Sequence, residues 1–185
     1  REIVGDFFLP AISGDTIAVG APGANNSAGT VTIFTRTGLT WTRATELTAS
    51  NVDAWGGDSF GFGIALDGDT LAVGAGSEAS AATGVNGDQT DNSVASAGAV
   101  YVFQGAGAAW TQQAYMKATN TGEGDIFGAS LSLDGDRLVV GAMGEAGTGM
   151  GYDDMPETND ALYAGAVYLY ERDGASWRAA HYLKA

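Results

Sequence analysis

An all-β protein built from repeated four-stranded sheets is what the sequence predicts, on three observations. Twenty-nine glycines against three prolines, with abundant Val, Thr and aromatic residues, favour short strands joined by tight turns over helices. The stretch "DSFGFGIALDGDTLAVGA" at 58–75 returns as "DIFGASLSLDGDRLVVGA" at 125–142. Trp41, Trp110 and Trp177 recur at near-constant spacing, so the repeat runs through the whole chain.

Three units follow, at 1–49, 50–118 and 119–185. The first is the most divergent: "FFLPAI" (7–12), the turn Ser13-Gly14-Asp15, "TIAVGA" (16–21), a short loop, "GTVTIF" (29–34) and "WTRATELTA" (41–49). The second reads "FGFGIAL" (60–66), Asp67-Gly68-Asp69, "TLAVGA" (70–75), a long polar loop, "GAVYVF" (98–103) and "WTQQAYMKA" (110–118). The third reads "FGASLSL" (127–133), Asp134-Gly135-Asp136, "RLVVGA" (137–142), a long loop, "GAVYLY" (165–170) and "WRAAHYLKA" (177–185).

Asp-Gly between two apolar runs marks a hairpin, because glycine takes positive φ without penalty. Strands one and two of each unit are therefore expected to pair. "LAVGA" and "AVYVF" are apolar with little alternation, which fits a sheet covered on both faces. The tryptophan strand mixes polar and apolar residues and is expected outermost. Sheets that bury both faces need neighbours on both sides, and radial repetition of such sheets is a propeller. Gly61, Gly63, Gly128, Ala129 and Ser130 suit a crowded axis. Phe34, Tyr101, Phe103, Tyr168 and Tyr170 are expected to pack between sheets, and the three tryptophans to anchor the outer strands.

Twenty-two acids against eight bases give a net charge of −14, which opposes binding to nucleic acid and to anionic membrane surfaces. Cysteine is absent, excluding disulfides and thiolate metal sites while leaving the redox compartment open. No apolar run is long enough to span a membrane as a helix, so direct membrane insertion is not expected. The start at Arg1 without a methionine reads as a processed or excised part of something longer.

The combined order "FG…DGD-x-L-x-VGA…GAVY-x-[FY]…W" resembles the FG-GAP repeat of integrin α-chain heads and bacterial relatives. Phe60-Gly61 and Phe127-Gly128 match the first half of the name, and Gly20-Ala21-Pro22 the second. The latter decays to Gly74-Ala75-Gly76 and Gly141-Ala142-Met143, while Asp6-Phe7 stands where the first unit's Phe-Gly would be. The resemblance implies β-propeller blades, typically about seven to a ring, serving recognition or adhesion on secreted or surface proteins. Three blades imply a segment of a longer propeller, a ring completed by other copies of the chain, or an open array.

Some members of the family bind calcium between strands one and two through a pattern like Asp-x-Asp-x-Asp-Gly-x-x-Asp. Those turns are too short here to wrap a cation, and their aspartates read as hairpin residues. The loops between strands two and three offer hard oxygen ligands suited to calcium. Asn86, Asp88, Asp91 and Asn92 stand in "GVNGDQTDNS" (84–93), and Asp153, Asp154, Glu157, Asn159 and Asp160 in "GYDDMPETND" (151–160). The alternative is that these are solvated loops held by Asx-turns. The single histidine, His181, lies in an outer strand where the sister units carry Thr45 and Ala114. No His-Glu-x-x-His motif occurs, and no catalytic residue is assigned. Trp55 and Tyr152 lie in loops and do not recur, which makes them candidates for a contact surface.

In an up-and-down blade the loop after strand two and the link to the next blade leave from the same end. Loops 76–97 and 143–164 and links 50–59 and 119–126 are therefore expected together. The functional expectation is a non-enzymatic extracellular interaction or adhesion module, taking a protein or glycan ligand at that end. The alternatives are a self-assembling ring or filament subunit and the accessory propeller of a secreted hydrolase.

Overall fold

The computed structural model describes residues 10–52, 57–153, 160–161 and 163–184. Of the described residues 55% are strand and 2% helix, in three antiparallel sheets of the propeller-blade type. The first sheet has the order β1 (Ala11–Ser13), β2 (Thr16–Ala21), β3 (Thr30–Thr37), β4 (Thr40–Leu47). The second repeats it with β5 (Phe60–Asp67), β6 (Thr70–Ala75), β7 (Ala99–Ala106) and β8 (Ala109–Met116). The third comprises β9 (Phe127–Asp134), β10 (Arg137–Ala142), β11 (Gly151–Tyr152), β12 (Ala166–Asp173) and β13 (Ser176–Lys184).

The third sheet has five strands where four were expected, in the order β11-β13-β12-β10-β9. The addition comes from the long loop, which folds back so that Gly151 and Tyr152 pair with Lys184 and Leu183. The second sheet has an abbreviated version, a bridge from Val85 to Met116. A short helical turn, Ala24–Ser27, occupies the corresponding short loop of the first unit.

Each inner hairpin places Gly14, Gly68 or Gly135 first in a two-residue loop, all at φ +55. The residue before that glycine also ties the sheets together: Ser13 Oγ accepts from the Gly68 N–H, and Asp67 Oδ2 from the Gly135 N–H. Asp67 is thus more than a plain hairpin residue. The tryptophans share one register, since Trp41 pairs with Arg36, Trp110 with Gly105 and Trp177 with Arg172. Their surroundings differ: Trp177 is buried, whereas Trp41 is 36% exposed.

The sheets stack face to face, and the Phe-Gly and Gly-Ala dipeptides make this possible. Gly20 of β2 lies against Gly61 of β5 so closely that a Cβ on Gly20 would sit 2.1 Å from the Gly61 carbonyl oxygen. Gly74 meets Gly128 in the same way, again at 2.1 Å. Beside each contact the incoming strand runs parallel to the previous sheet, with Phe60 N–H donating to Ala28 O and Phe127 N–H to Ala97 O. Gly29 and Gly98, both at positive φ, cradle those phenylalanine backbones.

Two apolar cores fill the contacts. Between the first and second sheets lie Val31, Ile33, Phe60, Leu71, Tyr101, Phe103 and Tyr115. Between the second and third lie Val100, Val102, Met116, Phe127, Leu138, Tyr168, Tyr170 and Tyr182. Full burial of each large side chain contributes on the order of 2 kcal/mol. Phe60 meets Tyr101 edge to face, as Phe127 meets Tyr168. The middle sheet is covered on both faces, and β6 is buried at every position. In the third sheet β10 alternates between exposed and buried over its first four residues.

Candidate functional site

The inner and outer hairpin turns leave one end of the sheets, and the long loops and links gather at the other. Asn51, in the link after β4, donates through Nδ2 to the Gln89 carbonyl at 2.8 Å, and Ser50 Oγ bonds the Gln89 side chain at 2.6 Å. Thr121, in the next link, donates to the Ala82 carbonyl at 2.8 Å. The loop after strand two and the two flanking links therefore form one surface.

Beneath it lie two buried polar sockets. In the second sheet Glu78 is fully buried; it accepts from Lys117 Nζ at 2.7 Å, Tyr115 Oη at 2.8 Å and the Ser80 N–H at 3.1 Å. Asn51 reaches in from the preceding link, accepting from Tyr101 Oη. The third sheet repeats the set: Glu145 accepts from Lys184 Nζ and Tyr182 Oη, and from Asn120 Nδ2 at 3.0 Å. Asn120 in turn accepts from Tyr168 Oη at 2.6 Å. A buried carboxylate is tolerable when paired and fully hydrogen-bonded, and each socket meets that condition. Burial pushes the Lys117 ammonium below its ordinary value, against the pull of Glu78. It also pushes the Tyr101, Tyr115 and Tyr168 phenols upward. The sequence signal was available but unread: Glu, Lys and both tyrosines recur together in units two and three, and unit one replaces them with Ala24, Thr48, Thr32 and Glu46.

The predicted metal ligands divide sharply. Asn86 and Asp153 occupy equivalent places, each at positive φ. Asn86 N–H donates to Tyr115 O while its Oδ1 accepts from Tyr115 N–H, and Asp153 does the same with Tyr182. Both cap the outer strand. Asp88 forms an Asx-turn with the Thr90 N–H and hydroxyl, and Asp91 accepts from Ser93 N–H and Ala81 N–H. These bonds hold both carboxyls below the usual carboxylate value, Thr90 chiefly for Asp88 and Ser93 chiefly for Asp91. Asn92 lies in the same loop and Asp160 on the other sheet's loop. Asp154, Glu157, Asn159 and Trp55 lie outside the described residues. Among the described residues no three His, Cys, Asp or Glu side chains gather in a metal-binding group.

Tyr152, proposed above for contact, is 60% exposed and stacks on His181 with ring centroids 4.6 Å apart. Its hydroxyl lies 2.6 Å from His181 Nδ1, which is also 2.8 Å from Asp153 Oδ2. A cleft of about 320 Å³ opens beside them, lined by Thr119, Asp153, Tyr168, Ala179, Ala180 and His181. An aromatic face beside a hydrogen-bonding cleft suits a sugar ring or a polar side chain.

The FG-GAP repeat family profile matches residues 41–103 and 110–170. Each matched segment starts at an outer-strand tryptophan and ends in strand three of the next sheet, so it spans one outer strand, the link with its asparagine and the first three strands of the following sheet. Among curated proteins none matches the chain significantly. No helix among the described residues is long and apolar enough to cross a membrane.

Proposed function

The chain belongs to the FG-GAP repeat family, whose repeats form propeller-type interaction modules, and from that premise we propose that it is a non-enzymatic recognition module. Repeats of this family are typical of extracellular or surface proteins, and we place this one there. The contact surface is the end that carries the long loops, with Tyr152, the adjoining cleft and the acidic loop around Asp88 and Asp91 in contact with a protein or glycan ligand.

The observation that supports this reading most is the unequal treatment of the two ends. The inner and outer turns are minimal, each with a glycine at positive φ, and the third sheet's cleft at that end is lined by charged side chains of the strands and turns, Asp136, Arg137, Glu171, Arg172, Asp173 and Arg178, whereas the long non-repeating loops and the Tyr152–His181 stack lie toward the other end. A repetitive frame with its irregularity at one end is how rigid scaffolds present binding loops. A chain of charge −14 favours ligands with cationic or neutral polar surfaces.

The test is binding of the chain to a panel of immobilised oligosaccharides and matrix proteins, beside the triple variant Asp88→Asn, Asp91→Asn, Tyr152→Ser. The asparagines keep the Asx-turns, so the fold should hold. A ligand captured by the native chain and lost by the variant at unchanged melting temperature supports the proposal. Equal capture by both, or no capture by the native chain across the panel, defeats it.

A further inference from the structure

Lysine occurs twice in the chain, as Lys117 and Lys184, and both stand in the sockets beneath the loop end. Lysine is ordinarily a surface residue, yet these side chains are 1% and 2% exposed. Each is paired with a glutamate that also holds an asparagine amide from the preceding link. Glu78 accepts from Lys117 Nζ on Oε2 at 2.7 Å and from Asn51 Nδ2 on Oε1 at 3.4 Å. Glu145 accepts from Lys184 Nζ on Oε2 and from Asn120 Nδ2 on Oε1 at 3.0 Å. In both sockets an amine and a carboxamide therefore hang on the two oxygens of one carboxylate.

On the other side of each carboxamide a tyrosine aims its hydroxyl at the carbonyl oxygen. Tyr101 Oη donates to Asn51 Oδ1 at 2.5 Å, and Tyr168 Oη to Asn120 Oδ1 at 2.6 Å. A buried ion pair needs its remaining lone pairs satisfied, which any small donor achieves. The arrangement present is that of an acyl transfer: a nucleophile, a proton relay, an acyl group with its leaving nitrogen, and an oxyanion donor, in one chain of hydrogen bonds away from water.

We propose that each socket forms an intramolecular amide bond, Lys117 Nζ to Asn51 Cγ and Lys184 Nζ to Asn120 Cγ, with release of ammonia. Glu78 takes one proton from the Lys117 ammonium, leaving a neutral amine whose lone pair attacks Asn51 Cγ. Burial favours that transfer, since it holds the ammonium below its ordinary value. The carbonyl electron pair moves to Oδ1, where the Tyr101 hydroxyl stabilises it; burial keeps that phenol protonated. The tetrahedral centre then collapses. The Cγ–Nδ2 bond breaks, Nδ2 takes the proton that Glu78 holds, and Glu78 takes a second proton from Nζ. Ammonia leaves, one amide replaces another, and Glu78 ends as a neutral carboxylic acid, so both buried charges disappear without any oxidant or co-reactant. Lys184, Glu145, Asn120 and Tyr168 take the same parts in the third sheet.

Each bond runs from the link that enters a unit to the end of that unit's outer strand, and so closes the unit into a covalent ring. In a chain without cysteine such bonds restrict the unfolded state as disulfides do elsewhere. The first unit carries Ala24 and Thr48 in place of the glutamate and lysine and forms no link.

The test is the intact mass of the folded 185-residue chain, followed by chymotryptic digestion and tandem mass spectrometry. The mass should fall short of the sequence value by two ammonias, and branched peptides should join Asn51 to Lys117 and Asn120 to Lys184. In urea neither lysine should then react with an amine-acetylating reagent. Full sequence mass with both lysines acetylated in urea overturns the proposal. A mass deficit without branched peptides also overturns it, because a succinimide at Asn86-Gly87 loses ammonia too. Two variants test the roles. Glu78→Gln keeps the shape of the side chain but cannot relay protons, and should leave Lys117 free and the deficit at one ammonia. Asn51→Asp should still link, with loss of water in place of ammonia. Linkage of Lys117 in Glu78→Gln at the native rate overturns the assignment of the carboxylate as catalytic.

Discussion

Gly74 and Gly128 stand back to back across the second sheet-to-sheet contact, with space for two glycines and for nothing larger. Gly20 and Gly61 do the same across the first. The Gly-Ala of one unit and the Phe-Gly of the next are therefore two halves of a single contact, which is why both dipeptides recur.

Gly74→Ala should destabilise the fold by about 3 kcal/mol, since the added methyl meets backbone that cannot rotate away. Gly141→Ala should cost under about 1 kcal/mol, because only the Ser130 side chain has to move. Urea unfolding of the two variants checks the contrast. Equal losses would mean that the glycines serve the strand and not the contact.

The Glu78–Lys117 pair should show strong coupling. Glu78→Gln or Lys117→Met alone leaves a buried partner uncompensated, at a cost of roughly 3–5 kcal/mol. The double variant should lose less than the sum of the two, and a double-mutant cycle by chemical denaturation measures the difference. Additive losses would show that the buried ions act independently.

Stability should collapse in strong alkali. Burial raises the phenols of Tyr101, Tyr115, Tyr168 and Tyr170 above their ordinary value of 10.0. A group whose folded pKa is raised contributes stability that is complete below its unfolded pKa and is lost as pH climbs past it. The unfolded chain ionises near pH 10 and the native one resists. Tyrosinate absorbance should therefore rise late and steeply, together with loss of β-sheet circular dichroism. Gradual ionisation of all seven tyrosines near pH 10 with the fold intact would contradict the buried positions.

Calcium should not bind tightly to the loop around Asp88 and Asp91, where both carboxylates are already committed to backbone donors. Calorimetric titration should give no saturable heat at micromolar calcium, and chelator should leave the melting temperature unchanged. A stoichiometric site would return Asp88, Asp91 and their neighbours to the role of ligands.

Much of this architecture was legible in the sequence because it rests on local rules. Asp67-Gly68 and Asp134-Gly135 announced hairpins, and the tryptophans announced one outer strand per unit. Features that depend on long-range partners were not legible. β11 is a pairing with β13 across the sheet edge, beside the Asp153 cap on Tyr182, and two residues carry no periodicity. That Asn86 and Asp153 cap Tyr115 and Tyr182 was not legible either, because an Asx side chain that caps a backbone amide is the same residue type as one that binds a cation. Asn51 and Asn120 read as link residues, and only the fold brings them to Tyr101 and Tyr168.

The most direct test of the account is the hydrogen exchange of two backbone amides, Phe60 and Phe127, by NMR on the native chain. Stacked sheets whose strands enter alongside Ala28 and Ala97 predict that both amides exchange only with global unfolding, and that Gly74→Ala speeds Phe127 far more than Phe60. Rapid exchange of both amides in the intact protein would contradict the stacking of the sheets and, with it, the placement of the loop end as a contact surface.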